Sequence, residues 1–355
     1  MKQFIQHTTR SVSLILTVLA TLTLAACGGG NNNSNSDRNY VGTQNPGDVW
    51  SWTITTGSGG TGTFSASNDT LGNTYSGSLV TLANGFLKLT VTTTTGPGPA
   101  FTPLYALEFP GTALVIKPAG TGNTIVAAAL GACPTASATY NWVDLLDYLW
   151  NPVTDQAYGI SAATVTGSNF DFSHVKYYLN GTVSTIATVT GFTCSGGRLT
   201  HPIDPVVIVA TPSGAFIGDG GARAGSFVGM QAPASNIILS DVVLAGREYR
   251  GVDFEDNSSV GDDTRPIWAR PNSSGGLTGG EWIDFEANIE DTLQAGTITF
   301  GAQPSPGVVN ATITDGAGTA NMVLMINKIN GKYFIYGAQT NTASGQGENF
   351  LAIEQ

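Results

Sequence analysis

Five carboxylates crowd the eleven residues from Asp253 to Asp263 (DFEDNSSVGDD). Hard cations such as Ca²⁺ collect several oxygen ligands. Asp253, Glu255, Asp256, Asp262 and Asp263 are therefore the candidate metal ligands, with calcium as the candidate ion. The spacing departs from the EF-hand loop, because no acid stands at the bidentate twelfth position. The competing reading is a solvated acidic loop partly neutralised by Arg250 and Arg265.

Nucleophilic chemistry has little to draw on. His7, His174 and His201 are the histidines of the whole chain. Ser195, His201 and Asp204 lie close in sequence, but nothing else in the sequence arranges them as a triad, and a polar loop accounts for them equally. The sequence has no His-Glu-x-x-His, Gly-x-Ser-x-Gly, P-loop or Cys-x-x-Cys pattern. Asp284 and Glu286 are two apart and share one strand face, whereas glycoside hydrolysis sets two acids across a cleft. They read as solvent-side charges, and no catalytic residue is assigned. Trp50 and Trp52 also share a strand face. They form either a stacking platform for a sugar ring or part of a core. Trp268, between Arg265 and Arg270, reads as the more exposed aromatic.

Leu24-Ala25-Ala26-Cys27 follows a basic start (Lys2, Arg10) and a short apolar run from Ser11 to Leu24. A basic start, an apolar stretch too short to span a bilayer and a small-residue exit describe an export signal. The motif resembles the lipobox of bacterial lipoproteins. The resemblance implies cleavage before Cys27, acylation of its sulfur and amine, and a firm membrane anchor. Gly28 in place of Asp implies passage to the outer membrane. With Cys27 lipidated, Cys133 and Cys194 remain as an even pair in an exported chain, which reads as a disulfide.

Removing Lys2 and Arg10 with the signal lowers Lys plus Arg from 14 to 12 against 25 acids, leaving a net charge of −13. Such a chain is a poor partner for phosphate backbones, which excludes nucleic acid as the expected ligand. Gly28 to Asn39 (GGGNNNSNSDRN) holds no apolar residue and reads as a disordered tether.

The elements that must position any site are strands. Thr-rich apolar alternation predicts them at Val49–Ile54, Thr61–Ser67, Thr74–Leu82 and Phe86–Val91. Asn84-Gly85, Asn180-Gly181 and Asn330-Gly331 each sit between alternating runs and predict hairpins. Asp219-Gly220 and Asp315-Gly316 are further turns. Tyr140–Trp150 fits a helix or a strand, with a lean to strand at its start. A break near Gln231–Ser235, with acids denser beyond it, predicts a second unit. Its strands are expected at Arg247–Phe254, Glu281–Ile289, Thr297–Phe300, Val308–Ile313, Met322–Ile329, Tyr333–Tyr336 and Phe350–Ile353. Ile283, Phe285, Ala287 and Ile289 are expected inward.

The predicted class is all-β: two antiparallel sandwich or small-barrel units joined by a short linker. The divisions are a signal (1–26), a tether (27–39), an N-terminal β domain (40–230) and an acidic C-terminal β domain (235–355). Cys133-Pro134, Tyr140-Asn141-Trp142-Val143, Ala157-Tyr158-Gly159 and the stretch from Thr211 to Gly229 resemble uncharacterised proteobacterial lipoproteins, a likeness that implies no activity. The expected role is an outer-membrane-anchored lipoprotein in non-catalytic binding, adhesion or envelope assembly. Its expected partners are the membrane through the anchor, and a glycan or envelope protein. A cell-surface glycan-active enzyme is the alternative.

Overall fold

The computed structural model describes residues 36–44, 48–96, 103–118, 124–145, 156–178, 181–203, 206–211, 214–219, 226–257, 261–272, 276–281, 285–286, 295–314, 318–340 and 348–355. The lipobox with Cys27, the tether up to Asn35, and Asp204, Asn180, Gly220, Asp284 and Asp315-Gly316 lie outside them.

The chain is built from antiparallel strands, each paired with its neighbours in sequence, and they close three times. The first barrel comprises β1 (Asp37–Gln44), β2 (Asp48–Thr56), β3 (Thr61–Asn68), β4 (Asn73–Thr81), β5 (Leu87–Thr95), β6 (Leu104–Phe109), β7 (Ala113–Pro118) and β8 (Ile125–Ala129). The second comprises β9 (Ala138–Leu145), β10 (Gln156–Thr166), β11 (Asn169–Tyr178), β12 (Val183–Ser195), β13 (Arg198–Thr200), β14 (Val207–Ala210), β15 (Ala215–Asp219) and β16 (Ser226–Gln231). The third comprises β17 (Tyr249–Asn257), β18 (Gly261–Pro271), β19 (Leu277–Glu281), β20 (Ala295–Phe300), β21 (Val308–Thr314), β22 (Thr319–Ile329), β23 (Lys332–Thr340) and β24 (Glu348–Glu354). Closure pairs Gly42 with Ala127, Gly229 with Trp142 and Gly251 with Ala352. One short helix, α1 (Leu239–Val242), lies between the second and third barrels. Among the described residues no helix is long and apolar enough to cross a membrane.

The all-β, antiparallel class stands, with barrels as its units. The break at Gln231 is the end of β16, and the acidic second unit is the third barrel. The stretch 40–230 read as one unit closes into two barrels, joined by the connection that carries Cys133. Tyr140 to Leu145 belong to strand β9, as expected for the first part of that stretch.

Two kinds of strand explain the packing. Where apolar residues alternate, one face fills a barrel and the other meets water. Trp50, Trp52, Ile54, Phe64 and Tyr75 fill the first barrel in this way. Where every position is apolar, both faces are buried. In β6 to β8, Ala106, Leu114 and Ile116 face the lumen while Leu107, Val115 and Val126 face out. These outer faces meet Val143 and Val228 of the second barrel and Val308, Met325, Tyr336 and Leu351 of the third. The shared core therefore lies between barrels and is made from their outer walls. Each fully buried Leu or Phe there contributes roughly 1.5–3 kcal/mol.

Polar contacts fix the seams between barrels. Asn84, in the turn after β4, donates from Nδ2 to the Phe285 carbonyl at 2.9 Å and accepts from the Phe86 amide at 3.2 Å. Thr43 donates to the Gly218 carbonyl at 3.2 Å, joining the first barrel to the second. Asn141 donates to the Pro306 carbonyl at 2.7 Å, joining the second to the third.

Candidate functional site

The second barrel has a lumen that its own side chains leave partly empty. Successive residues of a strand point to opposite faces, and the register fixes which face inward. Trp142 pairs with Gly159 on one side and Gly229 on the other, so all three share the inner face. Two neighbouring glycines leave room for an indole to lie inside the wall. A Cβ on Gly159 would come within 2.6 Å of both Trp142 Cε2 and His174 Cε1. Ser161 pairs with His174, and His174 with Ile186, which sets these three in the next inner row.

The cavity measures about 240 Å³ and is lined by Trp142, Ser161, His174, Phe172, Ile186, Val189, Phe192, Ile208 and neighbours. Its wall is almost wholly apolar. Phe170 and Leu199, both fully buried, fill the barrel beyond it. Ile186 and Val189 of β12 are only half-buried, so the lumen communicates with solvent along that strand.

The polar groups gather at one spot. Trp142 Nε1 donates to Ser161 Oγ at 2.8 Å and also lies 3.1 Å from His174 Nδ1. Ser161 Oγ is 2.8 Å from His174 Nδ1. The indole N–H can only donate, so Nδ1 beside it is an acceptor and the ring proton sits on Nε2. His174 is 7% exposed, and its Nε2 has no partner among the described residues. Burial pushes the His174 imidazole down to about 3, and the nearby Lys176 charge pushes the same way. The ring is therefore a neutral N–H donor across the physiological range. Its plane lies against Trp142, with centroids 4.1 Å apart. The Lys176 ammonium stands 5.8 Å from the same indole centroid.

A larger depression of about 530 Å³ lies between the second and third barrels, against Tyr158, Tyr177, Thr299, Asn310, Thr312 and Asn321. It is the weaker candidate on physical grounds. Its wall is close to half polar, Thr312 donates to Asn321 at 3.3 Å, and the Tyr158 and Tyr177 rings stack on each other at 4.3 Å.

The residues singled out from sequence fall elsewhere. Trp50 and Trp52 are each 2% exposed and stack at 5.7 Å inside the first barrel. They are core and offer no platform, because strand β2 turns that face into the lumen. Trp268 is also corrected: it is 6% exposed, packed in the shared core with the Arg270 guanidinium 4.4 Å from its ring. Proline-bounded and flanked by arginines, it looked superficial, but it lies on β18, whose outer wall is covered.

The backbone register places the five acidic candidates on two arms of a hairpin. Glu255 pairs with Asp263, Asp256 with Asp262 and Asp253 with Arg265. The register thus assigns Asp253, Glu255 and Asp263 to one set of alternate positions and Asp256 and Asp262 to the other. The side chains of Glu255, Asp256, Asp262 and Asp263 lie outside those described, and among the described residues no group of three or more His, Cys, Asp or Glu is placed to hold a metal. His201 is engaged through both nitrogens: Nε2 bonds the Thr190 carbonyl at 3.1 Å and Nδ1 accepts from the Ile203 amide at 3.4 Å. Phe285 and Glu286 stand in a turn and not in the expected strand, although Phe285 is buried and Glu286 exposed as expected. Glu286 bonds Lys88 at 2.8 Å and the Tyr105 hydroxyl, which hold its carboxyl below its ordinary range. Cys133 and Cys194 are joined, with Cα atoms 5.8 Å apart.

Sequence reading missed the site made by Trp142, Ser161 and His174. The signal available was a histidine amid a Phe-rich alternating run, Asn169–Tyr178, next to a Trp-bearing strand.

No protein-family model and no curated protein matches the chain. Solved structures that align with it include the isotype 1 transferrin binding protein B from serogroup B Neisseria meningitidis, at 10% identity and a TM-score of 0.29. That alignment covers 87% of this chain and 65% of the other, so this chain spans less than two thirds of that one. Another is an endo-1,5-alpha-L-arabinanase from Thermotoga petrophila RKU-1, at 11% identity, 88% and 82% coverage and a TM-score of 0.22. A third is the glycoside hydrolase family 43 YxiA protein from Bacillus licheniformis, at 11% identity, the same coverages and a TM-score of 0.21. At such scores none of the three carries fold or function across, and the site rests on its own geometry.

Proposed function

We propose that the chain is an envelope lipoprotein with a non-catalytic binding role, anchored through Cys27 in the outer membrane. The observation that carries the binding role is the partly empty, apolar lumen of the second barrel, with its polar groups confined to Trp142, Ser161 and His174. A mostly apolar pocket with a few convergent polar groups is the form of a small-molecule site. An eight-stranded barrel is wide enough to hold one small ligand.

Two further features support the setting. The lipobox implies export, and the Cys133–Cys194 bond fits an oxidising compartment. The glycan-active reading loses its aromatic platform, since Trp50, Trp52 and Trp268 are buried.

The test is a titration of the full chain carrying Cys27→Ser, which removes acyl groups of its own, with 1-octanol by calorimetry. One saturable site per chain, abolished by the lumen-filling change Ile186→Trp, is the expected result. No binding, or binding that Ile186→Trp leaves unchanged, overturns it. Turnover of envelope polysaccharides by the same preparation overturns the non-catalytic role.

A further inference from the structure

The lumen of the second barrel is polarised along its length. One end carries Lys176, Trp142 and His174 in two adjacent inner rows of the register. The other carries Phe172, Val189 and Phe192. His174 is more than nine-tenths buried, and its Nε2–H lacks a partner among the described residues. A buried donor left unpaired costs roughly 1–3 kcal/mol, which a ligand acceptor recovers. The Lys176 ammonium, 5.8 Å from the Trp142 centroid, has no carboxylate within ion-pair distance among the described residues. Lys176 does not itself line the cavity, but its ammonium stands beside the Trp142 ring that does. A donor in the wall and a cation next to it match an amphipathic anion.

Resting on the binding role above, we propose that the lumen takes a medium-chain carboxylate. Its head lies between the His174 Nε2–H and the Lys176 ammonium, and its chain runs along Phe172, Val189 and Ile208. Size agrees. An apolar cavity of about 150 Å³ accepts benzene; on that scale 240 Å³ holds roughly ten non-hydrogen atoms, the count of octanoate. A neutral alcohol can accept from His174 but gains nothing from Lys176. A quaternary ammonium of equal length is repelled.

The experiment compares octanoate, 1-octanol and octyltrimethylammonium on the full chain carrying Cys27→Ser, by calorimetry. Octanoate is expected to bind about tenfold or more tighter than 1-octanol, the increment of a charge-assisted contact. The cation is expected not to bind. Lys176→Met should erase the preference for octanoate while leaving 1-octanol binding in place. His174→Phe should weaken both ligands, and His174→Gln, which keeps an N–H donor, should restore part of the loss. Should His174→Phe fail to fold, the ¹⁵N resonance of His174 Nε2 in the parent decides. It should move on adding octanoate, and an unmoved resonance overturns the proposal. Equal affinities for acid and alcohol, or binding of the cation, overturn the carboxylate assignment but leave the binding role standing. Failure of all three ligands to bind overturns both.

Discussion

Ser161 Oγ and His174 Nδ1 lie 2.8 Å apart inside the second barrel, and the Trp142 N–H points at both. This contact fixes the tautomer of a neutral, buried imidazole. Its folded-state pKa, about 3, lies below the ordinary ~6.5 of the unfolded chain. Between those values the unfolded state binds the proton and the folded state does not, so stability falls as pH drops through that window. The charge facing His174 from its own strand is Lys176, which deepens the effect. Urea unfolding of parent and His174→Gln at pH 7 and pH 4 should show the parent losing more stability on acidification. Equal losses would contradict a neutral buried His174.

The first barrel is closed at one end by an ion pair. Arg38 meets Glu108 through two bonds, Nε at 2.6 Å and Nη2 at 2.8 Å, and the Tyr40 hydroxyl donates to the same carboxylate at 2.7 Å. The Glu108 side chain is 6% exposed and that of Arg38 is 17%. Removing one partner strands the other's charge away from water. Glu108→Ala is expected to cost about 3–5 kcal/mol. Removing both charges, as Arg38→Met with Glu108→Met, should cost less than that single change. Denaturant midpoints of the single and double variants check the order.

Cys133 lies between the first two barrels and Cys194 at the end of β12, 61 residues apart. Closing a loop of that length restricts the unfolded chain by about 4 kcal/mol in the chain-entropy model. The double variant Cys133→Ala, Cys194→Ala should show a lower urea midpoint, equal to that of the parent measured with reductant. A midpoint unaffected by reductant would contradict the estimate.

Gly85 combines a positive φ of 87° with close approach to its neighbour: an added Cβ would meet Arg250 Nη1 at 2.4 Å. Gly85→Ala should therefore destabilise by about 1–3 kcal/mol, from the strained backbone alone, with loosening of Arg250 added to it. Asn84→Ala loses the bonds to Phe285 and Phe86 and should cost a similar amount. Calorimetric unfolding of the two variants tests both. Unchanged midpoints would show that the seam between the first and third barrels adds nothing to stability.

Much of this architecture was legible from local patterns. Asn330-Gly331 makes a two-residue turn with φ of 51° and 86°, the left-handed pair that the dipeptide favours. Asn84-Gly85 also turns a hairpin, but through a longer loop in which only Gly85 has positive φ, and Asn84 spends its amide on Phe285. Strands β18 and β19 escaped because Pro266, Pro271, Gly279 and Gly280 argue against strands in isolation. The barrel tolerates the prolines because Pro266 lies just outside the β18–β19 pairing and Pro271 at its last pair. The count of barrels was not legible, because closure depends on stagger between strands that alternation does not encode. Nor was the fate of Trp50, Trp52 and Trp268. Alternation says that residues share a face, and only the closed sheet says which face is the lumen or the shared core. The site followed the same limit: His174, Ser161 and Trp142 come together across three strands through register, and no sequence spacing expresses that.

The most direct measurement is a crystal structure of the full chain carrying Cys27→Ser, grown with octanoate. The account predicts one ligand inside the second barrel, its head within hydrogen-bond reach of His174 Nε2 and its chain against Phe172 and Val189. A lumen without the ligand, or a ligand seated instead between the second and third barrels beside Tyr158 and Tyr177, would contradict it.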